Sequence, residues 1–234
     1  VIVLGIETSG PRAGVALIVG DRTRERLFDA HRALGAELAP TIQAILDDEG
    51  LGPDSPPDLV AVDIGPGSYT GLRVGLAAAK GLAFAWGRPL VGVRAIDALA
   101  VQAPSAASRV LCAIDAQRGE VYHASYERKD GRPSQIGAPS LDEPGALARA
   151  LAATGDLVVI GDAAQQVAAA LAGTRRIETA PEDLAWPTPR LIAELGRERH
   201  LAGIRDDALG LAPVYYRASE AEERRRKRAR AGDC

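Results

Sequence analysis

Between Leu72 and Trp86 the chain carries two charged residues, Arg73 and Lys80, and every other position is apolar or glycine. The pattern predicts a helix over 70–86, and the two charges, seven residues apart, fall on one stripe of it. A helix on the surface of a globular protein shows a polar half. This one has to be covered on more than one side. Gly71, Gly75, Ala78, Ala79 and Gly81 keep its surface flat enough for close backbone approach. A sheet can cover one face. Either more of the same chain or a second subunit must cover the other, and both readings stand at this point.

The stretch that leads into the helix, DIGPGSYTG at 63–71, has the layout of a phosphate cradle, with loop amides and a helix N-terminus facing one point. The match is poor in detail. A Walker A loop needs GxxxxGK[ST], and here Leu72 follows Gly71 where lysine is required. A dinucleotide fingerprint needs GxGxxG, and this turn is one residue too long. Pro66 also removes one amide. The glycines are better read as shaping a docking helix than as holding a phosphate.

Along the chain, VIVLGIETS (1–9), AGVALIVGD (13–21) and RERLFDAHR (24–32) read as three strands. A helix is expected over 37–49, with Leu38, Ile42, Ile45 and Leu46 at helical spacing and Pro40 in its first turn. Strand 58–65, helix 70–86, strand 88–93 and a helix ended by Pro104 follow. That order is ribonuclease-H-like, although element alternation alone also permits other α/β sheets. The second half restarts with strands at 108–116 and 119–127 around a Gln117–Arg118 turn. It then gives helices over 142–155, 163–173 and 188–203 and a buried strand at 156–162. Leu191, Ile192 and Leu195 mark the stripe of the last helix. The expected division is 1–104, 105–218 with helix 188–203 packing back on the first unit, and a charged tail over 219–234. Strand pairs opening both halves are a weak echo of an internal repeat.

The 234 residues are 47% hydrophobic, 25% charged and 4% aromatic, with net charge −3. Few aromatics are available for stacking single-stranded bases, and the body has no general attraction for phosphate backbones. The tail concentrates Arg224, Arg225, Arg226, Lys227, Arg228 and Arg230 against Glu220, Glu222, Glu223 and Asp233. A solvated tail and an RNA-finding arm are the two readings of that run. Cys112 and Cys234 have no CxxC spacing, so a disulfide framework and a cysteine metal site are not expected, and a cytoplasmic location is. No apolar run is long enough to span a bilayer, and VIVLGI is expected to be a strand rather than part of a leader.

The pieces LGIETSG, VALIV, GAELAPTIQAIL, DIGPGSYTGLRVGLAAAKGLA, PLVGVRAIDALA, IDAQRGEVYHASY and LAPVYYRAS, in this order, resemble the TsaB (YeaZ) family over nearly the whole chain. The resemblance implies a two-domain actin-like (ASKHA) fold. It implies a part in making threonylcarbamoyladenosine beside the anticodon of tRNA, as a non-catalytic dimerisation partner of a TsaD-like catalytic subunit, with a TsaE-like ATPase joining the complex. Contact with tRNA would be indirect. The contact with the catalytic subunit would be a bundle of helices 37–49 and 70–86. Leu38, Ile42, Ile45, Gly71, Leu72, Arg73, Gly75, Leu76, Ala79 and Lys80 are the expected partner-binding residues. The same apolar surface would form a homodimer when the chain is alone.

The residues themselves offer little catalytic equipment. TsaD-like proteins carry a metal on an HxxxH helix, and His31, His123 and His200 have no such spacing. Glu7, Thr8 and Ser9 stand where the first phosphate hairpin of an actin-like ATPase would be, as a remnant nucleotide cleft. DAQRGE in the second half lacks the paired glycines of the second hairpin, and VIGDAAQQ has only Gly161 where a glycine-rich loop is needed. Asp63 and Asp115 end strands without a visible base, and no GxSxG elbow is present. No cofactor and no metal are expected. The alternatives are a nucleotide-dependent phosphotransferase, a metal-dependent peptidase, and a tRNA-binding module working through residues 224–230.

Overall fold

In a computed structural model, residues 1–151, 156–172 and 177–214 are described. The basic run 224–230, Cys234 and the end of the PVYYR piece lie outside the described residues. The first half builds β1 (Val3–Glu7), β2 (Arg12–Val19), β3 (Arg22–Asp29), α1 (Ala30–Asp47), β4 (Leu59–Asp63), α2 (Tyr69–Trp86), β5 (Leu90–Val93) and α3 (Ala95–Gln102). The second builds β6 (Arg109–Asp115), β7 (Val121–Lys129), β8 (Arg132–Asp142), α4 (Pro144–Leu151), β9 (Leu157–Ile160), α5 (Ala164–Ala170), β10 (Ile177–Thr179) and α6 (Pro189–Leu201).

Two sheets result, with strand orders β3-β2-β1-β4-β5 and β8-β7-β6-β9-β10. In each, the first three strands are antiparallel and the fourth and fifth run parallel to the first. One topology is thus used twice, and the two-domain actin-like fold follows from it. β1 and β4 are buried on both faces, which is why they read as unbroken apolar runs. Leu4, Ile6, Val60 and Val62 face Ile42, Ile45, Leu76 and Ala79 of α1 and α2. Val3, Ala61 and Val91 face Ile192 and Ala193 of α6. α3 is buried between the sheets: Ala98 joins the α6 side of the first, and Ile96 and Leu99 meet Val110, Cys112 and Ile160 of the second.

α6 lies directly on the first sheet. A Cβ at Gly5 would come within 2.7 Å of Ala193 and of the Pro189 carbonyl. Its buried stripe is Pro189, Ile192, Ala193 and Gly196, with Leu191 and Leu195 only half-buried. The expected Leu191, Ile192 and Leu195 all pack on this side, Ile192 fully buried and the two leucines at its margin, while small residues take the centre because the helix sits so close. The segment after α6 closes the open edge of β5. Asp206 N–H donates to the Leu90 carbonyl at 3.1 Å, and its carboxylate accepts from Gly92 N–H at 2.8 Å.

α1 begins at Ala30, seven residues earlier than the predicted helix. The Asp29 side chain caps it by accepting from His31 N–H at 2.9 Å. Pro40 therefore lies inside the helix, on its exposed side, rather than in its first turn. β8 and β10 were not foreseen.

Gly75→Ala places a methyl against Thr8 and is expected to cost about 1–3 kcal/mol in urea unfolding. Gly81→Ala, which meets nothing within 4 Å on the same helix, is expected to add about 0.5–1 kcal/mol.

Candidate functional site

The turn between β1 and β2 is the seat of α2. Thr8 Oγ1 donates to the Gly71 carbonyl at 2.8 Å, and Ser68 N–H donates to the Ser9 carbonyl at 2.8 Å. Ser68 in turn caps α2, its Oγ accepting from Gly71 N–H at 3.2 Å. A Cβ at Gly71 or Gly75 would collide with the Thr8 carbonyl or Oγ1, and one at Gly67 would collide with Ser9. Glycines 67, 71 and 75 are thus required by close backbone approach within this chain.

The same turn satisfies its own amides. Glu7 Oε1 accepts from Ser9 N–H at 2.6 Å, from Ser9 Oγ–H at 2.6 Å and from Gly10 N–H at 3.2 Å. These are the donors that a phosphate hairpin would turn to its ligand, and a carboxylate of the chain already occupies them. Asp63, at the end of the neighbouring strand β4, accepts from Gly65 N–H at 2.7 Å. Burial, and then the charge of Asp63, raises the Glu7 carboxyl well above the carboxylate range. Burial pushes Asp63 up to about 6.

A cleft of about 670 Å³ opens between the two halves. Thr8, Ser9 and Gly10 line one wall with Ser68 and Thr70; Asp115, Gln117 and Asp162 line the other. Asp162 accepts from Asp115 N–H at 2.8 Å, and Asp115 accepts from Gln117 N–H at 2.7 Å. Asp162 is raised, chiefly by burial. Gly161 is required there, since a Cβ would collide with the Ala113 carbonyl. The amides of the first hairpin are taken by Glu7 rather than turned to the phosphates of a nucleoside triphosphate, the group that the actin-like fold implies, and the facing wall carries Asp115 and Asp162. Of the predicted remnant cleft, Thr8 and Ser9 line the cavity, whereas Glu7 lies behind it, fully buried.

His123 meets Asp142 at 2.8 Å and Ser140 at 3.1 Å, with Ser140 also bonded to Asp142. Hydroxyl and carboxylate converge on the same ring nitrogen, Nε2, so the three cannot relay a proton as a serine triad does. No cluster of three or more metal-ligating side chains occurs among the described residues. No helix there is long and apolar enough to cross a membrane.

The expected partner-binding residues divide by face. Leu38, Ile42, Ile45, Gly71, Leu72, Gly75, Leu76 and Ala79 are buried within the chain. Leu38, Ile42, Ile45, Leu76 and Ala79 pack the helices on their own sheet, Gly71 and Gly75 lie against Thr8, and Leu72 lies beside Gly65. Arg73 points outward, with its guanidinium 3.9 Å over the Tyr69 ring. Lys80 is half-exposed and donates to the Leu209 carbonyl at 3.1 Å. The outer face of α2 adds Ala77, Gly81, Ala85 and Phe84, which is 88% exposed. Ala36, Ala39, Pro40 and Gln43 face out from α1.

The family model described as TsaD: tRNA N6-adenosine threonylcarbamoyltransferase matches residues 28–221. The tRNA threonylcarbamoyladenosine biosynthesis protein TsaB of Bacillus subtilis (strain 168) is 30% identical over 229 residues, covering 94% of this chain and 96% of that protein. The chain belongs to the TsaB (YeaZ) family. TsaB of Escherichia coli (strain K12) is 38% identical over 133 residues, covering 55% of this chain and 56% of that one. The solved structure of YeaZ from Pseudomonas aeruginosa superposes with a TM-score of 0.77 at 27% identity, covering 92% of this chain and 99% of that one. An uncharacterized protein described as similar to peptidase YEAZ, from the same organism, gives 0.81 at 27% identity, with the same coverage.

Thr8→Val keeps the shape of the seat and removes its hydroxyl donor. It is expected to lower unfolding stability by about 0.5–1.5 kcal/mol in urea titration.

Proposed function

We propose that this chain serves the biosynthesis of threonylcarbamoyladenosine in tRNA as a non-catalytic subunit that docks a TsaD-like catalytic partner on the outer faces of α1 and α2. The observation that carries the reading is the state of α2. Its inner stripe is locked to its own sheet, and its outer face still offers Ala77, Gly81, Ala85 and the exposed Phe84 ring to water. An aromatic side chain centred on small residues, rimmed by Arg73 and Lys80, has the make-up of an interface core with a charged rim. The amides committed to Glu7 support a binding role rather than phosphoryl transfer.

In this reading the same face joins two copies when the catalytic partner is absent, a TsaE-like ATPase joins the larger assembly, and contact with tRNA runs through the catalytic subunit. The division into units 1–104 and 105–218, with tail 219–234, is part of the proposal. It leaves docking to the first unit, and the site of action is the cytoplasm.

The test is the mass of the complex formed with the cognate TsaD-like protein. Phe84→Glu is expected to weaken association at least tenfold while leaving the circular dichroism melt within about 0.5 kcal/mol of wild type, since the side chain is solvent-facing. Leu76→Glu, by contrast, buries a charge and is expected to unfold the chain. Unchanged affinity of folded Phe84→Glu and Ala77→Glu variants would overturn the docking face.

A further inference from the structure

Glu7 and Asp63 end neighbouring parallel strands, one residue beyond the paired Ile6 and Val62, and neither side chain has any solvent exposure. One oxygen of each is accounted for: Glu7 Oε1 by Ser9 and Gly10, Asp63 Oδ1 by Gly65. The other two, Glu7 Oε2 and Asp63 Oδ2, are buried and have no hydrogen-bond donor among the described residues. The parallel register of β1 and β4 sets the two residues side by side at their strand ends, both closed off from water. Two bare carboxylates side by side in a dry interior repel and are both under-solvated, so the arrangement is stable only with a positive charge between them.

We propose that Glu7 and Asp63 bind one proton between them at neutral pH, shared by the orphaned oxygens Oε2 and Oδ2, and that this proton locks the Thr8–Gly10 turn to the Gly65–Gly67 loop. The packed elements present Ser9 and Gly10 from the turn, Gly65 from the loop and Ala95 N–H from the start of α3, and no cation of the described residues is among the largest influences on either carboxyl. Among charged side chains on those elements, Arg94 forks onto Asp97 at 2.7 Å, Arg73 lies over Tyr69, and Arg12 and His31 are exposed. Because α2 hangs from this turn and this loop, the proton sits under the helix that carries the exposed face.

The consequence is a folding equilibrium that takes up a proton. In the unfolded chain both carboxyls ionise near their ordinary values of about 4. In the folded chain burial raises both carboxyls, Asp63 to about 6 and Glu7 well above its ordinary value, so the folded pair holds more protons than the unfolded chain. A raised pKa means stability that is complete at low pH and is lost as pH rises toward the folded value of Glu7. Each pH unit in that window lowers the folding constant about tenfold through this pair.

Glu7→Gln tests the proposal, because its amide makes the same donation to Asp63 at every pH and its carbonyl still accepts from Ser9 and Gly10. In urea unfolding at pH 5.5, 6.5 and 7.5, the folding constant of wild type is expected to fall about tenfold more per pH unit than that of the variant. Parallel pH dependences would overturn the proposal. On the unmodified chain, infrared spectra at pH 7.5 should contain the C=O stretch of one protonated carboxylic acid. Absence of that band overturns the proposal whether or not the variant folds.

Discussion

The contact of Thr8 with Gly71 and Gly75 is what the rest of the molecule is arranged around. It brings a turn of one chain segment against the backbone of a helix 63 residues away, with a hydroxyl donating to the Gly71 carbonyl. Such an approach leaves no room for side chains on that side of α2, and it sets the rotation of the helix about its axis. Leu72, Leu76, Ala79 and Ala83 then necessarily turn to the sheet, and Ala77, Gly81, Phe84 and Ala85 necessarily turn away. The exposed apolar face is a geometric consequence of the seat beneath it.

The same turn departs from the phosphate hairpin that an actin-like topology suggests. The two sheets repeat one strand order, and the cleft between them lies where both halves bring strand ends together. Yet the amides of the first hairpin are held by Glu7, and the second half faces them with Asp115 and Asp162. The Glu7 carboxyl that takes these amides lies in the protein interior, beside Asp63 at the end of the neighbouring strand.

Much of this was legible in the sequence, for reasons that differ by element. α2 and the two-face-buried strands were clear because their apolar patterning is uninterrupted. α1 began seven residues early because Asp29, inside what looked like a strand, is a cap, and because Pro40 tolerates an exposed mid-helix position. β8 was missed since Pro133, Gly137 and Pro139 break any alternation, and its pairing with β7 is itself irregular between His123 and Ser125. Helical spacing picked out the stripe Leu38, Ile42, Ile45 correctly but could not say that the sheet of the same chain would consume it. The Glu7–Asp63 pair was invisible as a pair. Its available signal was that each is an acidic residue at the end of a fully apolar strand run, and adjacency came only from the parallel register of β1 and β4.

The central claim is that the outer face of α2, as positioned by its seat, is where a TsaD-like partner lies. Hydrogen–deuterium exchange on the complex with that partner measures it directly. Slowed exchange over residues 73–86, with the strands of the second sheet unchanged, is the expected result. A stable complex in which those residues exchange as they do in the free chain would contradict it.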